Sequence, residues 1–360
     1  MPLESLLKPN RGIMIYGAGN CGRDVQKVLW NHSIAVEGFL DTRIAHGTSI
    51  QGTPVFHPDD KSIGPAKRAQ VQVIVAIFNR ETNIASIQEF LRIIGYEHLT
   101  TFLEFHRCCA KELGDRFWLT SPSYYDSNEQ EMANGLKVLH DEKSRSLYTS
   151  MLRMRMNADC SCALPAKTEG IYFDDEFPRW ETPMRFIDCG SFDGDTLIAL
   201  KKAYGTVQAI AAYEPDPKNF SKLCTLIKSV NTFAEKTVLY PCGVWSHTTQ
   251  LNFTSESAES SHLSLGGSHR IQCVSLDDTL HGFDPTLIKM DIEGAEPEAL
   301  VGAKDMIRKS RPALAISVYH RPDHLWTVPL LVKQWKLGYN LYLRIYGYSG
   351  FDAVLYAIPE

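Results

Sequence analysis

The stretch Phe186-Ile187-Asp188-Cys189-Gly190-Ser191-Phe192-Asp193-Gly194-Asp195-Thr196 decides the fold. Apolar residues ending in an acid read as a buried strand, the glycines as a tight turn, and Thr196 to Ala203 as a helix. The same order occurs near the start of the chain. There Gly12 to Tyr16 is the strand, Gly17-Ala18-Gly19-Asn20-Cys21-Gly22 the turn, and Arg23 to Trp30 the helix. Each opening leads to another short apolar strand closed by an acid: Val36 to Asp41 in the first, Ala209 to Glu214 in the second. Strands alternating with helices imply parallel sheets covered on both faces, with ligands beyond the carboxyl ends of the strands.

Working outward from the first opening, Gly47 to Pro58 is punctuated by glycine and proline. The strand Val71 to Ile77, the helix Ile84 to Ile94 and the segment Tyr96 to Phe105 follow. From the second opening, strands are expected at Phe186–Cys189, Ala209–Tyr213, Val238–Val244, Ile271–Ser275, Leu287–Met290, Ala313–Val318, Leu341–Tyr346 and Ala353–Ile358. A polar hairpin is expected near Leu251–Phe253, and helices at Glu296–Arg308 and Asp323–Leu337. The last two strands are too close for a parallel crossover, so they form an antiparallel hairpin. Between the two α/β regions, Asn128 to Met156 is patterned as one or two helices, and Asp159 to Pro183 as an irregular arm. The expected organisation is residues 1–107 as a Rossmann-like α/β domain, 108–184 as a helical linker and arm, and 185–360 as the larger α/β domain.

Composition narrows the functions open to such a chain. Of 360 residues, 44% are hydrophobic and 22% charged, enough to bury two cores. The formal net charge of −5, without a Lys/Arg-rich run, argues against nucleic acid as the partner. No apolar stretch reaches the roughly 20 residues of a membrane span. The N-terminal residues lack the pattern of a secretory signal, so a cytoplasmic location is expected. The nine cysteines lack paired CxxC spacing and flanking histidines, so reduced thiols and no metal are expected. Oligomeric state is left open, a homo-oligomer included.

The second opening fits S-adenosylmethionine (SAM). That molecule carries an amino-acid tail, a ribose diol and a sulfonium. Gly190 and Gly194 allow close backbone approach to the tail, with Ser191, Phe192 and Asp193 completing the turn. Glu214, followed by Pro215, offers a carboxylate to both ribose hydroxyls. Asp188 is placed to organise the turn and the amino group of the cofactor. Asp277 is assigned to the adenine side, with a surface acid as the competing reading. Tyr172 and Phe173 are placed as an aromatic wall, with core packing as the alternative. The polar Ser260-Ser261-His262 is read as a loop able to close over the cofactor.

The string Phe186 to Thr196 resembles the first motif of FkbM-type methyltransferases, which also carry a non-glycine residue at the position of Phe192. Tyr213-Glu214-Pro215-Asp216-Pro217, Val274-Ser275-Leu276-Asp277-Asp278 and Ile288-Lys289-Met290-Asp291-Ile292-Glu293-Gly294-Ala295-Glu296 resemble further motifs, as do Ala315 to His320 and Leu341 to Arg344. The resemblance runs from about Asp141 to the C-terminus. It implies a class I methyltransferase sheet with an antiparallel C-terminal hairpin, SAM as methyl donor, and a hydroxyl on a sugar, polysaccharide or secondary metabolite as acceptor.

An alcohol acceptor must lose a proton, so a base is expected within reach. Asp291 and Glu293 leave their strand where this fold faces the transferred methyl. His320 ends the next strand, with a pKa near neutrality. Helix capping by either acid and a solvated His320 are the competing readings. The three residues could also hold a cation through oxygen and nitrogen donors, although no ligand spacing demands one.

The N-terminal Gly17-x-Gly19-x-x-Gly22, with Asp41 following, meets the dinucleotide fingerprint in its strand-turn-helix context. Ile13 to Pro58 resembles the N-terminal nucleotide-binding domains of sugar acyltransferases, which implies a nucleotide or nucleotide-sugar ligand. A turn retained only for packing is the equal alternative. Two further readings of the whole chain remain: an NAD(P)-dependent oxidoreductase, for which no Tyr-x-x-x-Lys follows, and a non-catalytic nucleotide sensor.

Overall fold

The computed structural model describes residues 3–45, 47–160, 169–177, 180, 183–230, 232–254, 262–263 and 269–360. The chain divides into two compact units. One comprises 1–129, 149–166 and 347–351; the other comprises 130–148, 167–346 and 352–360. Within the stretch 108–184, residues 108–129 and 149–166 fall in the first unit and 130–148 and 167–184 in the second.

The first unit is a six-stranded sheet of β1 (Ile13–Tyr16), β2 (Val36–Leu40), β3 (Ser49–Ile50), β4 (Thr53–Phe56), β5 (Gln72–Val75) and β6 (His98–Thr101). The order is β3-β4-β2-β1-β5-β6, parallel throughout except for the β3–β4 pairing. Every residue of β1 and β5 is buried, as continuous apolar runs in the middle of a parallel sheet require. Met14, Leu40, Val73, Leu91 and Tyr96 share one core. The helix Phe102–Leu113 starts on a reciprocal cap between Thr101 and Glu104.

The second unit contains β7 (Arg185–Cys189), β8 (Val207–Tyr213), β9 (Ala234–Tyr240), β10 (Gly243–Val244), β11 (Thr249–Thr254), β12 (His262–Leu263), β13 (His269–Val274), β14 (Leu287–Met290), β15 (Ala313–Ser317), β16 (Tyr339–Ile345) and β17 (Ala353–Pro359). Seven of these form the main sheet, in the order β16-β17-β15-β14-β7-β8-β9. Only β17 runs against the others, pairing antiparallel with both β15 and β16. The expected terminal hairpin is therefore present, its last strand β17 lying between β15 and β16. Strand order reverses between β7 and β14, so the loops leaving these two strands flank the crevice where such sheets hold ligands.

Two expected elements are broken, each for a local reason. Val238–Val244 is not one strand: β9 stops at Tyr240 and β10 resumes at Gly243, after Pro241, which has no amide to give a ladder. Strand β10 then joins a small sheet, β10-β13-β11-β12, which contains the expected polar hairpin. Glu296–Arg308 is two helices, Glu296–Val301 and Lys304–Ser310, joined at Gly302. A Cβ at Gly302 would lie 2.1 Å from the Trp245 carbonyl oxygen, so only glycine lets the two segments pack. Where one or two helices are expected over Asn128 to Met156, the chain forms two, Glu129–Lys137 and Glu142–Asn157. Arg344 fastens the latter region to the sheet, donating to Asp141 (2.8 Å), Ser144 (3.0 Å) and Glu176 (2.8 Å).

Candidate functional site

The glycine turn lies at the carboxyl end of β7, and its form follows from the neighbouring strand. Gly190 has φ +82, and a Cβ there would lie 1.9 Å from the Asp291 carbonyl oxygen at the end of β14. Gly194 has φ +98, and its Cβ would strike Leu226 of the helix Pro217–Ser229. Both glycines thus answer first to the packing of the chain itself. Ser191 is fully buried, its hydroxyl donating to the Asp188 carbonyl. Phe192 projects outward beside Lys222. Asp193 and Pro215 are half-buried.

Glu214, at the tip of β8, closes this turn. One carboxylate oxygen accepts the Phe192 amide at 2.9 Å, the other the Asp216 amide at 2.8 Å. Burial pushes the carboxyl up to about 7, against the opposing pull of those two amides. Each oxygen keeps a second lone pair.

Asp188 is buried against Lys289, with Oδ1 3.0 Å from the ammonium. The same ammonium donates to the Gly190 carbonyl. Burial opposes the charge of Lys289, but Asp188, Asp291 and Asp195 outweigh it and hold its pKa above the lysine range. The lysine therefore ties β7, β14 and the glycine turn together. Sequence reasoning passed it over because lysine is ordinarily a surface residue.

A second cluster forms where β14 and β15 end. Tyr172 donates to Asp291 Oδ2 at 2.8 Å. The Nε2 of His320 faces Asp291 Oδ1 at 3.3 Å and Glu293 Oε2 at 3.6 Å. The Nδ1 of His320 is 2.7 Å from Glu296 Oε1, and His324 Nδ1 is 3.2 Å from Glu296 Oε2. Glu296 also accepts the Ile292 amide, which fixes the turn carrying Glu293. Glu293 holds φ +54, a left-handed conformation unusual for a residue with a side chain.

The structure thus brings Asp291, Glu293 and His320 together and revises three assignments. A neutral base is not what the surroundings of His320 favour. Burial opposes its charge, but Glu296, Glu293 and Asp291 lift its pKa to about 10, and an imidazolium has no lone pair for a proton. Asp277 does not face a cofactor: its two oxygens cap the helix Lys304–Ser310, accepting the amides of Asp305 (3.0 Å) and Met306 (2.8 Å). Tyr172 is a buried partner of Asp291, not a wall of an open cleft; its own amide donates to Tyr356. Phe173 packs edge-on against Phe186. Glu296 and His324 were missed as site residues. The His320-x-x-x-His324 spacing was the available signal, although His324 opens the helix His324–Gln334 rather than lying within it. Ser260 and Ser261, with the side chain of His262, lie outside the described residues.

In the first unit, Asp41 joins two turns, accepting the amide of Ala18 in the glycine turn (2.9 Å) and those of Arg43 (2.8 Å) and Ile44 (3.2 Å) in its own. Gly17 and Gly22 are demanded by packing, a Cβ at Gly22 lying 2.0 Å from the Gly17 carbonyl. Gly19 is exposed and has open space where a Cβ would be.

A seven-stranded sheet with one reversed strand before its edge, carrying a glycine turn and an acid at adjacent strand tips, defines a Rossmann-like methyltransferase fold. More particularly, residues 188–349 match the family model described as the methyltransferase FkbM domain, so this part of the chain is similar to that family. A crystal structure described as methyltransferase FkbM from Methylobacillus flagellatus KT is similar in fold. The TM-score is 0.76 at 20% identity, covering 96% of this chain and 89% of that one. A structure described as SAH-bound Podospora anserina methyltransferase PaMTH1 aligns at a TM-score of 0.29 and 12% identity, over 65% of this chain and 96% of that one, too weak to carry an argument. The comparison with curated proteins matched no relative. Among the described residues no helix is long and apolar enough to cross a membrane.

Proposed function

We propose that the chain transfers the methyl group of SAM to a hydroxyl oxygen of a saccharide or secondary metabolite. The observation that carries this reading is Glu214. Its carboxylate is held by one amide from the glycine turn and one from its own loop, with a lone pair on each oxygen left for a diol. Asp188 supports it, because its buried Oδ2 has no hydrogen-bond partner among the described residues and suits the ammonium of an amino-acid tail. SAM, when bound, supplies an activated methyl group on a sulfonium.

The residues of the chain do the rest. Glu214 and the turn fix the donor end, and the Asp291–Glu293–His320 cluster fixes the acceptor end. Alignment of this kind supplies on the order of 7–11 kcal/mol in well-oriented reactions. The acceptor proton leaves to a carboxylate of the cluster. His320, hydrogen-bonded to Glu296 behind it, holds that carboxylate in place. For the first unit, the reading is a nucleotide or nucleotide-sugar whose phosphates approach the open face of Gly19.

Calorimetry on the full chain with S-adenosylhomocysteine (SAH), NAD and a UDP-sugar tests these readings. One equivalent of SAH heat is expected. NAD heat without SAH heat favours the oxidoreductase reading and overturns this one.

A further inference from the structure

We infer that a cavity at the amino ends of β7, β14 and β15 binds a phosphate-bearing small molecule through Arg185, Arg311 and Lys309. The cavity holds about 670 Å³. Its walls include the first residues of β7 and β15 and the last residues of the antiparallel β17. That volume lies within the range of pockets that enclose small ligands. Glu214 follows β8 at the other end of the same sheet, so this space is separate from the site already described.

The first observation is charge. The three cations share the cavity wall with two acids, Asp284 and Glu360, in a chain whose formal net charge is −5. Asp284 serves two of them, lying 2.8 Å from the Lys309 ammonium and 3.6 Å from the Arg185 guanidinium. Arg311 has no ion pair among the described residues. Its guanidinium makes one long hydrogen bond there, 3.4 Å to the Gly338 carbonyl.

The second observation is that the two guanidinium groups are positioned. Arg185 donates from both Nε (2.8 Å) and Nη2 to the Asp284 carbonyl. This fixes the plane of the fork and leaves Nη1 unbonded among the described residues. Arg311 holds φ +46 at the end of the helix Lys304–Ser310, a left-handed position where glycine or asparagine is the ordinary choice. Strain of this kind collects at ligand sites.

The third observation is the apolar part of the wall, formed by Trp180 and Ile358. Trp180 is buried and stacked on Phe177 and Tyr356, and its indole N–H donates to the Tyr172 carbonyl at 3.3 Å, so this surface is formed in advance. Planar guanidinium forks match the oxygens of a phosphate, and the apolar wall takes the body that carries it.

The test is calorimetric titration of the full chain at low ionic strength with inorganic phosphate, glucose 1-phosphate and glucose. Both phosphates should bind and glucose should not. Arg311→Asn suits the left-handed backbone and so keeps the fold; it should weaken phosphate binding about tenfold or more, as should Arg185→Gln. Lys236→Gln removes the same charge from an exposed place on β9 and should stay within about twofold of wild type. Glu214→Gln should weaken SAH and keep phosphate. Absence of phosphate heat at millimolar concentration overturns the proposal, as does glucose binding as tightly as its phosphate. An Arg311→Asn variant that binds as wild type does, or equal weakening by Lys236→Gln, overturns it too. Phosphate binding that Arg311→Asn abolishes, in a chain that ignores SAH, supports the cavity and removes the methyl-transfer reading.

Discussion

Replacing Glu214 by glutamine alters one atom and separates the account from its rivals. The carboxylate now accepts two backbone amides, from Phe192 at 2.9 Å and Asp216 at 2.8 Å. A carboxamide has a single acceptor oxygen, so its NH2 must face one of those amides and leave a buried donor unpaired. That costs about 1–3 kcal/mol of stability. The ligand loses more. Two hydrogen bonds from a diol to a carboxylate are worth about 1.5–3 kcal/mol each, and the amide retains at most one neutral bond. A net loss of about 2–4 kcal/mol weakens SAH roughly 30- to 700-fold. Calorimetric titration at pH 8, on protein shown folded by circular dichroism, measures it. A Kd within about threefold of wild type, from a folded variant, refutes the assignment of Glu214 to the ribose.

Five further outcomes follow from the same geometry. Because burial lifts the Glu214 carboxyl to about 7, wild-type SAH binding should weaken about tenfold between pH 8 and pH 6. The same raised pKa means the native state holds a proton that the unfolded chain has released between pH 4.5 and about 7. This group therefore takes stability away as pH rises through that window, visible in urea midpoints of wild type against Glu214→Gln. Lys289→Met strands buried Asp188 and should cost about 3–5 kcal/mol in urea unfolding, with partial recovery in the double variant with Asp188→Asn. Gly190→Ala should cost at least about 3 kcal/mol, seen as a large drop in Tm, since its Cβ would lie 1.9 Å from a backbone oxygen at φ +82. Asp141 is the opposite case to Glu214: burial raises its pKa, but hydrogen bonds from Arg344 and Ser144 outweigh that and hold it at about 2. Its contribution is present above the ordinary carboxylate range and lost as pH falls toward 2. Asp141→Asn should therefore destabilise by about 1 kcal/mol at pH 7, discounted for its partial exposure, and by almost nothing near pH 2.

What the sequence disclosed and what it withheld have physical explanations. Strand β7, its glycine turn and the acid ending β8 were legible because buried parallel strands are unbroken apolar runs and tight turns need glycine. The terminal hairpin followed from the short distance between its strands. Lys289, Glu296 and His324 were not legible as site residues, since buried ions look like surface charges until a partner is found. Each has that partner far along the chain: Lys289 at Asp188, and Glu296 at both His320 and His324. Asp277 misled for the converse reason, because an acid after a strand serves a ligand or a helix end equally well and only the fold shows Met306 and Asp305 above it. Tyr172 lies on an irregular arm without periodicity, so its bond to Asp291 had no local signal.

The most direct measurement is a crystal of the full chain soaked with SAH. Density is expected beyond the carboxyl ends of β7 and β8, with both ribose hydroxyls on Glu214 and the amino-acid tail toward Asp188. Density confined to the turn between Gly17 and Gly22, or a ribose with no contact to Glu214, would contradict it.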